Sequence, residues 1–168
     1  MTVHTTLDSP LGELLLIGDV RADGTFALAS LSVPGQKGGA TPPADSRADA
    51  APFADVLRQL RAYFAGELRD FDLPFTTRGS IFQEQIWAAI DEIPYGTTTT
   101  YGAIAERVGT SRAGVRAVGT AIGANPLLLV RPCHRVIGAD GALRGYAGGL
   151  DRKEYLLTHE GALPARLG

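Results

Sequence analysis

The chain has 168 residues, a net charge of −2, 45% apolar and 20% charged residues. These values suit a soluble globular protein of one large or two small domains, and no apolar run approaches the roughly 20 residues that span a bilayer. A single cysteine, Cys133, excludes an intramolecular disulfide and a multi-cysteine zinc site.

The N-terminal "MTVHTTLDSP" lacks a basic start followed by an apolar core, so no secretory signal is expected. A reducing cytoplasm is the expected compartment, where a lone thiol stays free to react. "VHTTLDSPLGELLLIGD" reads as two strands around a Ser-Pro-Leu-Gly turn, and "TFALASLSV" as a third. Residues 34–52 are rich in Gly, Pro, Ala and Asp without apolar periodicity, which predicts a mobile surface loop. Phe53, Val56, Leu57, Leu60, Tyr63 and Phe64 then recur at helical spacing. "FDLPFTTRG" connects to a second region, which opens with Ser80 and Gln83 at capping-box spacing and a helix through Phe82, Ile86, Trp87 and Ile90.

Net charge argues against a general nucleic-acid binder, yet its distribution is uneven. From Thr97 to Arg135 stand Arg107, Arg112, Arg116, Arg131 and Arg135 with one acid, Glu106, so this segment carries +4 and the remainder −6. Such a region is either a footprint for an anionic partner or a solvated charged face. Within it, "TYGAIAERVG" and "SRAGVRAVGTAIGAN" are two short helical segments. Tyr101, Ile104, Ala105 and Val108 share one face, as do Val115, Val118, Gly119 and Ile122. Two short amphipathic helices and a tight turn make a helix-turn-helix, or any helical hairpin. The outer face of the second carries Arg116, Thr120, Ala113, Ala117 and Ala124, with Arg112 at its border. Small residues around an arginine allow close approach to a DNA groove, or to another helix.

"LLLV" after Asn125-Pro126 reads as a buried strand running into Pro132-Cys133-His134-Arg135. If that run is extended, Cys133 and His134 point to opposite sides, and the histidine acts on the thiol through a water or a turn. In the last helix, Asp151 and Glu154 have capping-box spacing, with Leu150 and Tyr155 as a hydrophobic staple. Glu160 falls one turn beyond Leu156 and Leu157, on their side. It is either a partner for His134, giving a Cys–water–His–Glu relay, or a frayed helix end beside His159.

Taken in order, "IPYGTTTTYG", "TYGAIAERVG", "RAVGTAIGANP", "PCHRVIG" and "GYAGGLDRKEYLLTHEG" closely resemble the O6-alkylguanine-DNA alkyltransferases, or methylated-DNA–protein-cysteine methyltransferases. The likeness runs from about Phe82 to Gly161, and more loosely through "SPLGELLL" and "AYFAGE". It implies an α+β protein: a small antiparallel sheet with a helix, ribonuclease H-like, over residues 1–76, and a helical domain with a winged-helix-like helix-turn-helix over residues 77–168. It also implies repair of O6-alkylguanine, with O4-alkylthymine a second substrate, in duplex DNA. The base is flipped after minor-groove binding, and the alkyl group moves irreversibly to a cysteine.

By this resemblance Cys133 is the acceptor, and His134 and Glu160 activate it. Tyr101 assists rotation of the target nucleotide and gives a proton to the leaving guanine. Asn125 ties the recognition helix to the active-site segment. Arg116 is the finger that fills the gap left by the flipped base. Arg112, Ala113, Ala117, Thr120 and Arg135 are the remaining expected DNA contacts. Tyr101, Val136, Tyr146, Ala147, Gly148 and Gly149 are expected to form the guanine pocket. Attack on an sp3 carbon needs a soft thiolate and a proton for the leaving group. The thioether product has no second nucleophile to cleave it, so one turnover per molecule is expected, with no metal or cofactor. A monomer is expected, with cooperative assembly on DNA open, no membrane partner, and association with the nucleoid when DNA-bound.

Three features depart from the family pattern. Arg131 stands where Val, Ile or Leu is usual, and its charge either aids thiolate formation, binds phosphate or points to solvent. The turn in "GTSRAGVRAVG" is one residue longer than in many members, and the loop at 34–52 is unusually long. Two other readings compete. A non-catalytic lesion sensor of the alkyltransferase-like kind has tryptophan at the acceptor position, against Cys133 here. A Cys–His hydrolase leaves the helix-turn-helix unexplained and needs an oxyanion hole.

Overall fold

A computed structural model of the chain describes residues 1–110 and 114–163. Arg112 and Ala113 lie outside the described residues, as does part of the turn whose length was in question. The fold is α+β, in two compact units. The first holds Met1–Thr77 and Pro126–Val130, and the second Arg78–Asn125 and the described residues from Arg131 onward. Residues 126–130 thus return to the first unit after most of the second has been built.

In the first unit, β1 (Thr2–Ser9), β2 (Gly12–Val20) and β3 (Phe26–Ser32) form an antiparallel meander. The Ser9 hydroxyl donates to the Gly12 carbonyl at 2.7 Å and accepts from Leu11 N–H at 3.1 Å. Gly12 takes φ 101°, where a side chain is strained. Val3, Leu7, Leu14, Leu16, Leu28 and Leu31 are buried, each side chain contributing about 1.5–3 kcal/mol by leaving water. Helix α1 (Ala54–Phe64) packs against β1 and buries Val56, Leu57, Leu60 and Tyr63, at the predicted helical spacing. The Gln59 amide pairs with both backbone groups of Asp72, each at 2.9 Å, and so pins the connector.

Two expectations fail in this unit. The loop at 34–52 is not unstructured throughout: β4 (Arg47–Ala48) pairs in parallel with β1, giving the sheet order β3-β2-β1-β4. Ser46 Oγ meets His4 Nδ1 at 2.7 Å beside it, so the loop's end covers a sheet edge that would otherwise stay unpaired. "LLLV" is not a strand. Leu127 makes a single bridge to Leu31, and Leu129 adopts φ 72°, which ends any extended run.

In the second unit, α2 (Ile81–Asp91) begins with the predicted capping box: Ser80 Oγ accepts from Gln83 N–H, and the Gln83 side chain accepts from Ser80 N–H. A short parallel pair follows from β5 (Thr99–Thr100) and β6 (Val136–Ile137). Thr100 caps α3 (Tyr101–Arg107) by accepting from Ala103 N–H at 3.0 Å. Helix α4 (Val115–Gly123) buries Val118, Ala121 and Ile122. Trp87 is buried and donates Nε1–H to the Ala121 carbonyl at 3.0 Å, fixing α2 against α4. Helix α5 (Leu150–His159) corrects another expectation. Its N-cap is Gly149, at φ 93°, rather than an Asp151–Glu154 box, and Leu150 and Tyr155 are both exposed rather than stapled. No helix among the described residues is long and apolar enough to cross a membrane.

Candidate active site

Helix α4 stops before Pro126, which leaves Asn125 buried at its end. The chain returns through Arg131 and Pro132 into a single 3-10 turn, Cys133–Arg135. Cys133 N–H donates to the Arg131 carbonyl at 2.7 Å, and Arg135 N–H to the Pro132 carbonyl at 3.0 Å. This corrects the extended reading. In a tight turn three successive side chains fan out, so the thiol and the imidazole need not lie on opposite faces.

Cys133 is buried, 4% exposed, and unpaired with any other cysteine. Asn125 Nδ2 donates to its sulfur at 3.3 Å and to the Arg131 carbonyl at 3.2 Å. Burial pushes the thiol above its ordinary range. The Asn125 hydrogen bond and the positive charges of Lys153 and Arg131 pull the other way.

Next along the turn, His134 Nε2 lies 2.9 Å from Glu160 Oε2, with both side chains fully buried. Glu160 is therefore a buried partner and not a frayed end. Arg135 grips the same carboxylate, with Nε on Oε1 at 2.7 Å and Nη2 on Oε2 at 3.0 Å, and gives Nη1–H to the Ile93 carbonyl at 2.6 Å. Arg135 was expected among the DNA contacts. It is instead buried, its guanidinium committed to Glu160 and Ile93. A carboxylate held by a guanidinium accepts only, so His134 Nε2 carries the proton and Nδ1 keeps its lone pair. That Nδ1 has no hydrogen-bond partner among the described residues. Burial holds the imidazole below its ordinary range, which favours the neutral, proton-accepting form.

Of the expected pocket residues, Tyr101 and Tyr146 neighbour this core. The Tyr101 hydroxyl donates to the Arg144 carbonyl at 3.1 Å, and burial, then the nearby thiol, raises its pKa. Tyr146 meets the His134 ring edge-on at 6.5 Å between centroids. Ala147 is half-buried and Gly148 buried, and Gly149 turns the chain into α5, its N–H donating to the Tyr146 carbonyl. The Val136 carbonyl accepts from Lys153 Nζ at 2.6 Å.

Lys153 is the residue that sequence reasoning missed. It is fully buried, and Nζ also donates to the carbonyls of Arg144 at 2.7 Å and Gly145 at 3.1 Å, 5.9 Å from the Tyr101 ring centre. It thereby braces the loop before α5 and sets a cation toward Cys133. Burial pulls its pKa down to about 8. A signal was present: Lys153, Leu156, Leu157 and Glu160 follow the i, i+3, i+4, i+7 spacing of a buried stripe.

The outer face of α4 is as predicted. Arg116, Ala117, Thr120 and Ala124 are exposed, and Thr120 turns its hydroxyl back to the Arg116 carbonyl at 3.1 Å. A Cβ on Gly119 would lie 4.0 Å from the Tyr101 ring, so the small residue sits where α3 and α4 meet.

Comparison with known proteins matches both regions. Residues 2–77 fit the family model of the 6-O-methylguanine DNA methyltransferase ribonuclease-like domain, and residues 81–162 that of its DNA binding domain. The methylated-DNA–protein-cysteine methyltransferase of Mycolicibacterium paratuberculosis is 48% identical over 95% of this chain and 93% of its own length. That of Methanosarcina acetivorans is 46% identical over 95% and 98%. The crystal structure of Mycobacterium tuberculosis OGT in complex with DNA superposes with a TM-score of 0.83 at 43% identity, covering 95% of this chain and 92% of that one. A hyperthermophilic archaeal O6-methylguanine-DNA methyltransferase, 20% identical at a TM-score of 0.62, shares the fold. The chain belongs to the methylated-DNA–protein-cysteine methyltransferase family.

Proposed function

We propose that this protein repairs O6-alkylguanine, and also O4-alkylthymine, in duplex DNA by moving the alkyl group to Cys133 once per molecule. The observation that carries the reading is the buried thiol that accepts from Asn125 beside a histidine–glutamate pair, in the unit that bears α3 and α4. The thiol proton passes through one water to His134 Nδ1, and Glu160 steadies the resulting imidazolium. The thiolate attacks the alkyl carbon, the C–O bond breaks, and the leaving guanine takes a proton from Tyr101. The thioether has no departing path, so the protein is consumed.

Delivery of the base rests on α4. Its exposed small residues let the helix approach a minor groove, and Arg116 enters the stack in place of the flipped nucleotide. Unstacking costs a few kcal/mol, which the inserted guanidinium offsets in part. Tyr146 to Gly149 close over the base. The protein acts as a monomer in a reducing cytoplasm, where the acceptor thiol survives until used.

The test is the fate of the lesion. Duplex DNA carrying O6-methylguanine is incubated with limiting protein, digested, and its bases are chromatographed. The expected result is O6-methylguanine converted to guanine, one lesion per protein molecule, then a plateau. A lesion that survives intact in a tight complex contradicts the reading and makes the protein a sensor.

A further inference from the structure

Arg131 has entered so far only as a positive charge acting on the thiol, and its surroundings are unusual for a surface cation. It is 3% exposed. Its Nε donates to Asp91 Oδ1 on α2 at 3.2 Å, and its guanidinium carbon lies 5.0 Å over the Trp87 ring. Its Nη1 donates to Asn125 Oδ1 at 3.4 Å. The same asparagine donates through Nδ2 to the Arg131 carbonyl and to Cys133 Sγ. Burying a guanidinium is unfavourable unless it is paired and hydrogen-bonded, so the arrangement is a specific one.

An asparagine amide has two faces, and only one suits this sulfur. With Nδ2 toward Cys133, the amide donates to a thiolate. Flipped, Oδ1 would face both the sulfur and the Arg131 carbonyl, three acceptors together, while Nδ2 would face the guanidinium, donor against donor. An aliphatic residue at position 131 would leave Oδ1 without that donor, so Arg131 adds a second lock to the amide.

We propose that Arg131 is a positioning residue of this active site: braced by Asp91 and Trp87, it holds the Asn125 amide in the orientation that donates to Cys133 and so favours the thiolate. The proposal rests on Cys133 being the alkyl acceptor. Other groups act on the thiol as well: Tyr101 from α3 and Lys153 from α5, while His134, next in the chain, is held by Glu160, which Arg135 also grips. Asp91 answers the arginine from α2, and burial raises that carboxyl's pKa against the arginine's pull. The effect of Arg131 is therefore read as a difference against an otherwise unaltered site.

The test titrates Cys133 in the free protein by thiolate ultraviolet absorbance, for the unaltered chain, Arg131→Met and Arg131→Lys. Methionine keeps the packing on Trp87 and removes the charge and the donor. The expected result is a midpoint raised by about one pH unit in Arg131→Met, a tenfold loss of thiolate well below the midpoint. Single-turnover repair at neutral pH falls by a similar factor and recovers in alkaline buffer. Arg131→Lys, which keeps the charge but not the two-ended fork, lies between. An Arg131→Met midpoint and rate profile equal to those of the unaltered chain overturn the proposal. Should that variant fail to fold, nuclear magnetic resonance of the unaltered chain decides. The Asn125 side-chain amide and the Arg131 Nε–H resonances shift together as Cys133 ionises, and resonances that stay fixed overturn the proposal. The titration uses no DNA, so its failure is separate from a failure to repair.

Discussion

Glu160→Gln isolates the charge that organises the site. The substitution keeps the shape of a side chain with no exposed surface. It replaces a carboxylate that accepts two hydrogen bonds from Arg135, at 2.7 and 3.0 Å, and lies 2.9 Å from His134 Nε2. An amide offers one acceptor and one donor group. Whichever way it turns, its NH2 meets an N–H of Arg135 or of His134, and the buried guanidinium loses its counter-charge. Removing one partner of a buried ion pair costs about 3–5 kcal/mol. For a chain of this size that lowers the melting temperature by about 6–20 °C. The chemistry suffers separately. An NH2 facing Nε2 draws the imidazole proton to Nδ1 and abolishes the base, which slows repair by about 10²–10⁴-fold. Thermal unfolding followed by circular dichroism and single-turnover repair measure the two effects. A cycle with Arg135→Met adds a check, since removing both charges is expected to cost less than the sum of the single losses. A Glu160→Gln protein with native stability and native rate would mean that the Glu160 charge does not organise the site.

Two further substitutions probe the other halves of the site. Lys153→Met removes the cation facing Cys133, so the thiol is expected to ionise at higher pH and repair at neutral pH to slow by about tenfold. Because the folded-state pKa of Lys153, about 8, lies below its ordinary 10.5, the unfolded chain binds more protons in that window. The lysine therefore makes stability rise with pH from about 8 to 10.5 and fall as pH drops through 8, and chemical denaturation of Lys153→Met is expected to lose that slope. An unchanged slope would mean the lysine is not desolvated. For the exposed Arg116, alanine substitution is expected to leave stability within about 0.5 kcal/mol while slowing repair of duplex DNA by about tenfold or more. The reactivity of Cys133 toward a small thiol reagent is expected to stay, and equal loss of both contradicts the finger role.

What the sequence disclosed divides by the range of the interaction. The meander, α1 and the Ser80–Gln83 cap rest on alternation, helical period and turn chemistry within a few residues, and all are present. The motif order pointed to Cys133, His134, Asn125 and Glu160, and the fold joins Asn125 to Cys133 and His134 to Glu160. The misreadings share a cause. Nothing local distinguishes a branched residue at positive φ, so Leu129 hid the break in "LLLV". The permissive Gly149 took the start of α5 from a plausible acid pair. Arg135 is read as a DNA contact and Arg131 is left open among three roles, because their carboxylate partners stand 25 and 40 residues away. Lys153 was overlooked because lysine on a helix is read as solvated, although its stripe said otherwise.

Everything proposed for this site requires that Cys133 itself takes the alkyl group. The direct measurement is mass spectrometry of the protein after reaction with O6-methylguanine in duplex DNA, first intact and then as peptides. The expected result is a gain of one methyl group per chain, carried as a thioether on Cys133 and absent from Cys133→Ala. An unchanged mass, or a methyl group on any other residue, would contradict it.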